Sequence, residues 1–176
     1  MRKVFYKDDS LCTGCRTCEM VCSLEKAGEF NPYKSAIWIL RDDFSGIDKP
    51  VICVHCKVPA CEKACPVEID KPLSIDQQTG AVIFSNPETC IGCYECVKAC
   101  PFGAIRIDIQ SDKIIKCDLC GGDPECVKWC ATGAINYIDS RLINVKRLAS
   151  GLEEGKLKER YRHIGTVHVK SIQEKL

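Results

Sequence analysis

The stretch Leu11–Ser23, "LCTGCRTCEMVCS", decides the fold, because it places four cysteines close together in a short segment. The gaps between them are two, two and three residues long. Similar groups recur three more times, and together the groups use all 16 cysteines of the 176-residue chain. A pattern that takes up every cysteine in sets of four indicates that each set serves one site.

The four groups differ in internal spacing and in the residue after the last cysteine. Groups one and three have the spacing C-x2-C-x2-C-x3-C, group two has C-x2-C-x4-C-x3-C, and group four has C-x2-C-x5-C-x3-C. A proline comes directly after the last cysteine in groups two and three only. The groups are Cys12, Cys15, Cys18 and Cys22; Cys53, Cys56, Cys61 and Cys65; Cys90, Cys93, Cys96 and Cys100; and Cys117, Cys120, Cys126 and Cys130.

This spacing favours clusters of four irons and four sulfides (4Fe–4S). Gaps of two residues let one short loop wrap a cluster with three thiolates, and the fourth cysteine starts a helix that points away. Gly14 and Gly92 suit such a loop, because it needs positive φ and close backbone approach. Structural zinc, which usually takes two cysteine pairs separated by a longer loop, is one alternative. Disulfides are the other.

Composition narrows the compartment and the partners. "MRKVFYKDDS" leads into no apolar segment or cleavage site, no twin-arginine signal is present, and no apolar run approaches ~18 residues. We therefore predict a cytoplasmic protein without a membrane span, in which clustered cysteines are metal ligands. The formal charge is +1, but four clusters with their thiolates would make it about −7. Nucleic acid is therefore an unsuitable partner.

Short strands are predicted between the cysteine groups, and a short helix after each group. The strand segments are "KVFY" (3–6), "SAIWILRD" (Ser35–Asp42), "LSIDQQTGAVIF" (Leu73–Phe84, a hairpin), "AIRIDIQSDKIIKC" (104–117, a hairpin) and "GAINYID" (133–139). The expected fold class is α+β, with two units like bacterial ferredoxins built around the four clusters.

The predicted organisation nests one unit inside the other. Groups two and three are separated by one hairpin and share the proline, so they form an inner unit, and groups one and four form an outer one. Residues 1–52 hold the first half of the outer unit and a long loop, Ser23–Ile52, that covers a cluster, contacts a partner or simply packs over a small core. Residues 53–108 form the inner unit, 109–140 complete the outer unit, and 141–176 are a C-terminal tail that wraps the core or docks a partner.

This pairing predicts the ligands of each cluster. In two-cluster bacterial ferredoxins the fourth cysteine of a group binds the partner group's cluster. The expected sets are Cys12, Cys15, Cys18 and Cys130; Cys117, Cys120, Cys126 and Cys22; Cys53, Cys56, Cys61 and Cys100; and Cys90, Cys93, Cys96 and Cys65.

Two kinds of residue beside the cysteines have open roles. His55 lies between two cysteines of group two, and packing or a hydrogen bond is expected of it rather than ligation. Five lysines lie next to ligands and either raise cluster potentials or are ordinary surface residues: Lys57, Lys63, Lys98, Lys116 and Lys128.

The order of spacings resembles the four-cluster iron–sulfur subunits of dimethyl-sulfoxide-reductase-like complexes. "CTGCRTCEMVC", "CVHCKVPACEKACP" and "CIGCYECVKACPFGAI" carry the resemblance, which covers roughly residues 3–140. The compact group four and "NPYKS" (Asn31–Ser35) are most similar to the subunits of tungsten aldehyde oxidoreductase and class II benzoyl-CoA reductase complexes.

The resemblance implies an electron-transfer subunit of anaerobic metabolism that is not an enzyme on its own. It would relay electrons between a catalytic large subunit with a tungsten or molybdenum pterin and a flavoprotein subunit or ferredoxin. One alternative is a freely diffusing polyferredoxin. Another is the small subunit of a formate-, hydrogenase- or carbon-monoxide-dehydrogenase-linked complex.

Overall fold

The computed structural model of the chain describes residues 3–44 and 46–144, which include all sixteen cysteines. Its elements are short helices and strands, so the predicted α+β class is confirmed. The helices are α1 (Thr17–Ala27), α2 (Ala60–Lys63), α3 (Glu95–Ala99) and α4 (Glu125–Lys128). The strands are β1 (Lys3–Lys7), β2 (Trp38–Asp42), β3 (Ile47–Val51), β4 (Leu73–Ile75), β5 (Val82–Phe84), β6 (Arg106–Ile107), β7 (Ile114–Ile115) and β8 (Ile135–Asp139).

Each α-helix carries the third cysteine of one group, namely Cys18, Cys61, Cys96 or Cys126. The expectation that a helix follows each group and starts at its fourth cysteine is therefore wrong. The reason is the final gap of three residues, which places the last two cysteines four positions apart, about one turn of a helix. The chain between them is helical, so both sulfurs project from one side of that turn.

The strands of the described part pair two by two, as β1–β8, β2–β3, β4–β5 and β6–β7. Four predictions are confirmed: the strand at the start of the chain, the strand at 133–139, and the hairpins at 73–84 and 104–117. The strand predicted from Ser35 begins only at Trp38. Its partner β3 was not predicted, because "IDKPV" has two charged residues and Pro50 in place of an alternating pattern.

The two hairpins β4–β5 and β6–β7 turn in the same way. The Asp76 N–H donates to the carbonyl oxygen of Ala81, and the Gly80 N–H donates back to Asp76 O, both at 2.8 Å. The turn that starts at Asp108 repeats both bonds at the same distances. Each aspartate also accepts a hydrogen bond from a Thr or Ser hydroxyl three residues on. The hairpins that follow groups two and three thus share the same turn structure.

The helices pack in pairs that follow the cysteine groups. Helix α1 contacts α4, and α2 contacts α3. We call groups one and four, on α1 and α4, the outer groups, and groups two and three, on α2 and α3, the inner groups. The most buried apolar side chains include Ile37 and Leu73, each 1% exposed. The core is therefore built from small clusters of apolar residues interleaved with cysteines.

The chain divides by compactness into Arg2–Tyr137 and a second unit of Met1 with Ile138–Leu176. In the second unit the structure describes only the end of β8, a 3-10 turn at Ser140–Leu142 and two further residues. The predicted tail, 141–176, lies outside the described residues from position 145 onward. Across the described ranges, no helix is long and apolar enough to cross a membrane.

The β2–β3 hairpin lies against the loop of group one. Gly14 has φ +64°, and a Cβ on it would overlap the Oδ2 atom of Asp48. Arg41 holds this arrangement, because its Nε lies 3.2 Å from Oδ1 of Asp48 and its Nη2 donates to the Gly14 carbonyl at 3.4 Å. The segment predicted as a long loop thus contains a hairpin that contacts the loop of group one at Gly14.

We predict that Gly14→Ala destabilises the protein more than Gly92→Ala. Gly92 has nearly the same φ, +67°, but nothing lies within 4 Å of the added methyl group. Left-handed backbone alone should cost roughly 1–2 kcal/mol in both variants, and the clash with Asp48 should add about 1–3 kcal/mol for Gly14→Ala. Anaerobic denaturant unfolding of the cluster-loaded protein measures both. Equal losses would mean that the Asp48 contact is not made.

Candidate metal centre

The cysteine loops share one backbone feature, a left-handed residue just before the second cysteine of each group. These residues are Gly14, His55, Gly92 and Leu119, with φ values of 64°, 48°, 67° and 62°. The two glycines were predicted, whereas His55 and Leu119 were not. A left-handed backbone is costly for residues with a Cβ. His55 and Leu119 nevertheless occupy the same position before the second cysteine as the two glycines, and this shared position could have indicated their conformation.

Three voids between the helices are each lined by four cysteines. Each draws three cysteines from one group and the fourth from its packing partner. The voids measure about 330, 350 and 320 Å³, open space at their mouths included. Their cysteines are Cys90, Cys93, Cys96 and Cys65; Cys53, Cys56, Cys61 and Cys100; and Cys117, Cys120, Cys126 and Cys22.

The remaining four cysteines also lie close to one another. The charges of Cys15 and Cys130 both act on Cys12, and those of Cys12 and Cys15 both act on Cys18. Cys15 is the most exposed of the sixteen, and the Thr17 hydroxyl and N–H lower the pKa of its thiol by hydrogen bonding. Cys15 therefore brings this set of four to the surface.

The donor set fits a cluster better than a single ion. Among the described residues, no three His, Cys, Asp or Glu side chains converge closely enough to hold one metal ion. All sixteen cysteines are free of disulfides. Four sulfurs spaced around a void suit a four-iron cluster, whose irons each take one thiolate.

Burial makes these thiols poor acids on their own. It raises the pKa of Cys18 to about 12 and that of Cys96 to about 11. It also raises the pKa of Cys117 and Cys126 well above the ordinary value of a thiol. Because a thiol must lose its proton to bind iron, ligation and deprotonation are coupled at these positions.

Hydrogen bonds reach several of the sulfurs. The Ala104 N–H donates to Sγ of Cys100 at 3.4 Å, and the Leu119 N–H donates to Sγ of Cys117 at 3.5 Å. Such donors stabilise negative charge on sulfur and set the potential of a bound cluster.

Neighbouring cysteine sets approach one another at three points. Cys126 interacts electrostatically with Cys18, Cys117 with Cys53, and Cys96 with Cys61. The first of these interactions joins the two sets of the outer groups, and the last joins the two sets of the inner groups. The interaction between Cys117 and Cys53 joins an outer set to an inner one. The four sets therefore form a succession, with the set of Cys12 at one end and that of Cys65 at the other.

His55 turns away from the cysteine voids. Its ring is 5% exposed, stacks near Phe5 with 6.3 Å between centroids, and accepts a hydrogen bond at Nδ1 from the Val82 N–H at 3.1 Å. These contacts favour the packing and hydrogen-bonding role over ligation.

A short repeat occurs after every cysteine group. Each copy is a small residue, then Ala, then Ile or Val, and every Ala and Ile or Val is at most 4% exposed. The copies are Ser35–Ala36–Ile37, Gly80–Ala81–Val82, Gly103–Ala104–Ile105 and Gly133–Ala134–Ile135. The alanines admit close packing beside the cysteines, as the bond from Ala104 to Cys100 illustrates.

Glu19 is a buried carboxylate beside Cys18. It is 2% exposed, and its Oε1 accepts from the Ile39 N–H at 2.6 Å. Its Oε2 accepts from Nε and Nη2 of Arg16 at 2.8 and 2.7 Å. Glu19 therefore ties α1 to β2 and keeps the loop of group one in place.

Comparison with known families matches this geometry. Residues 46–140 match the family described as a 4Fe-4S dicluster domain, and residues 9–28 match a 4Fe-4S binding domain. The chain belongs to the 4Fe-4S dicluster family. The prediction of 4Fe–4S clusters from the cysteine spacing is confirmed.

Two relatives of this dicluster protein are subunits of oxidoreductases. The polyferredoxin-like subunit of aliphatic sulfonate oxidoreductase from Pyrococcus furiosus is 45% identical over 112 residues, which is 64% of this chain and 62% of the relative. The B subunit of anaerobic dimethyl sulfoxide reductase from Haemophilus influenzae is 31% identical over 131 residues, 66% of this chain and 60% of the relative. The matches thus span less than two thirds of either relative. The resemblance to dimethyl-sulfoxide-reductase-like subunits is confirmed.

A solved structure gives a fainter likeness. A chain of the active site complex BamBC of benzoyl coenzyme A reductase, as isolated, is 24% identical with a TM-score of 0.46. The alignment covers 98% of this chain and 96% of that one.

We predict that Glu19→Gln lowers the free energy of unfolding by about 1.5–3 kcal/mol, because a buried acceptor loses its charge-assisted bonds. The matched control is Glu95→Gln, whose partner Lys98 is 68% exposed, so that pair should contribute no more than ~1 kcal/mol. Anaerobic unfolding followed by circular dichroism and cluster absorbance measures both. Indistinguishable losses would contradict the buried role of Glu19.

Proposed function

We propose that this dicluster-family protein is the electron-transfer subunit of an oxidoreductase complex and holds four 4Fe–4S clusters. The succession of four cysteine sets, each close to the next, is the observation that carries the proposal. A row of neighbouring one-electron sites conducts electrons from one surface of a protein to another. No catalysis of its own is proposed, because all sixteen cysteines fall into the four sets.

The ligand sets proposed are those that the spacing predicted. Three are supported by the cysteine-lined voids, and the fourth by the electrostatic contacts of Cys12 and Cys18. They are Cys12, Cys15, Cys18 and Cys130; Cys117, Cys120, Cys126 and Cys22; Cys53, Cys56, Cys61 and Cys100; and Cys90, Cys93, Cys96 and Cys65. The crossing of the fourth cysteine makes each pair of groups one ferredoxin-like unit, with the inner unit at 53–108.

When bound, a 4Fe–4S cluster accepts and returns one electron at a potential that the protein sets. The chain contributes the surroundings. The buried residues of the Ala–Ile and Ala–Val repeats exclude water from the sulfurs, and the N–H groups of Ala104 and Leu119 stabilise negative charge on them. Exposure at Cys15 makes the set of Cys12 the proposed point where electrons enter or leave.

The partner proposed is a catalytic large subunit with a tungsten or molybdenum pterin, and a flavoprotein subunit or ferredoxin at the other end. Support comes from the two relatives named as subunits of a sulfonate oxidoreductase and of dimethyl sulfoxide reductase. The tail 141–176 remains a proposed docking element. Anaerobic gel filtration of native extract tests this. Co-elution with a pterin-containing large subunit supports the proposal, and elution as a lone small brown protein would indicate a free polyferredoxin instead.

We expect about sixteen irons and sixteen sulfides per chain in the anaerobically purified protein, since each set holds four of each. Metal and acid-labile sulfide analysis measures this directly. A value near twelve irons would remove one cluster, and zinc without iron would overturn the assignment.

Crossed ligation makes a sharper prediction for alanine variants. Cys22→Ala and Cys126→Ala should abolish the same paramagnetic signal of the reduced protein, because both proposed ligands hold one cluster. Cys12→Ala and Cys130→Ala, each made alone, should both abolish a second, different paramagnetic signal. Electron paramagnetic resonance of the four variants tests this. Loss of one shared signal in Cys22→Ala and Cys12→Ala would mean that each group binds its own cluster.

A further inference from the structure

Lys116 lies at the point where the outer and inner cysteine sets meet. It follows β7 directly, is half-buried, and its ammonium donates to Sγ of Cys53 at 3.4 Å. The same ammonium donates to the carbonyl oxygen of Cys117 at 3.4 Å and to that of Val82. One cation thus touches a cysteine of group two and the backbone of a cysteine of group four.

Lys116 differs from two other lysines beside ligands, because those two lysines form ion pairs with acidic residues. Lys98 is paired with Glu95, and Lys128 is paired with both Asp123 and Glu125. Within residues 3–44 and 46–144, no carboxylate lies within ion-pair distance of the Lys116 ammonium. Its charge is therefore directed at sulfur and at carbonyl dipoles.

The field of Lys116 acts on thiols of both sets. Its charge favours negative charge at Cys61 and at Cys117, as well as at Cys53, whose Sγ it contacts. A cation that stabilises negative charge on the ligands also stabilises the additional negative charge of a reduced cluster. The reduction potential of that cluster is then higher than it would be without the cation.

We propose that Lys116 sets the potentials at the junction of the succession. Its charge raises the potential of the site formed by Cys53, Cys56, Cys61 and Cys100, and, to a smaller extent, that of the site that contains Cys117. The inner and outer units exchange electrons at this junction. When the reduction potentials of both junction clusters are raised, a transferred electron is stabilised on either cluster and can move on to the inner or to the outer unit. This inference depends on the ligand sets proposed above.

Lys116→Gln is the decisive variant, because glutamine keeps an N–H donor and removes the charge. We expect two of the four midpoint potentials to fall, that of the Cys53 site most, while the other two stay at their wild-type values. Anaerobic redox titration followed by electron paramagnetic resonance measures the potentials. The signals missing from Cys56→Ala and Cys126→Ala identify the two junction sites, and iron analysis counts the clusters in every protein.

Two further variants separate charge from structure. Lys116→Arg keeps the charge and should leave the potentials close to wild type. Lys98→Gln, at an exposed lysine that is paired with Glu95, should leave both junction potentials unchanged.

Unchanged potentials in a Lys116→Gln protein with its full iron content would overturn the inference, as would an equal shift of all four. Should Lys116→Gln lose iron, Lys116→Arg decides the question. Wild-type potentials in it support the role of charge, and a fall in them contradicts it. Fewer than about sixteen irons in the wild-type protein would count against the proposed function instead, so the two failures are distinguishable.

Discussion

The need to bring four sulfurs around one void, with the fourth supplied by a different group, is the constraint on which the other features of this protein depend. Cys22 meets the cysteines of group four, and Cys65 meets those of group three. Helices that are distant in sequence must therefore pack in pairs, α1 with α4 and α2 with α3. The cysteine sets, rather than an extended sheet, hold the fold together, and the described strands form only two-stranded ribbons.

The same constraint explains where the backbone is strained. A loop that directs three sulfurs into one void must reverse direction within a few residues, and it does so through a left-handed residue before the second cysteine. At Gly14 and Gly92 a glycine removes the cost. His55 and Leu119 take the same conformation with a side chain, and both side chains are buried, 5% and 2% exposed. The packing of both side chains, and the hydrogen bond from the Val82 N–H to His55, offset the strain, so these two positions join the loop to the core.

Short-range patterns predicted much of the structure: the cysteine spacing predicted the clusters, and the alternation of apolar and polar residues predicted the hairpins at 73–84 and 104–117. Prediction from the sequence failed for elements whose formation depends on contacts with residues that are distant in the chain. Strand β3 has no alternation, and it forms because Trp38–Asp42 offers a partner and because Arg41 and Asp48 lock it over Gly14. Likewise, the last gap of each group predicted a helix at the wrong place, because each helix begins just before the third cysteine rather than at the fourth. The order of the four sets depends on contacts between groups, which no local pattern contains.

Both charged side chains and backbone N–H groups lie beside the sulfurs, and Lys26 and Asp118 line the void that contains Cys117. The chain has 25 basic and 24 acidic residues, yet the donors to Cys100 and Cys117 are backbone N–H groups rather than cations. Backbone dipoles stabilise thiolates without the desolvation cost that a buried cation carries. Lys116 departs from this arrangement, because its ammonium reaches a sulfur directly and is only half-buried. Its retained access to solvent lowers that cost, and its place between Cys53 and Cys117 lets one charge act on two sites. At the junction a single half-buried cation therefore acts on sulfurs of both the inner and the outer sets.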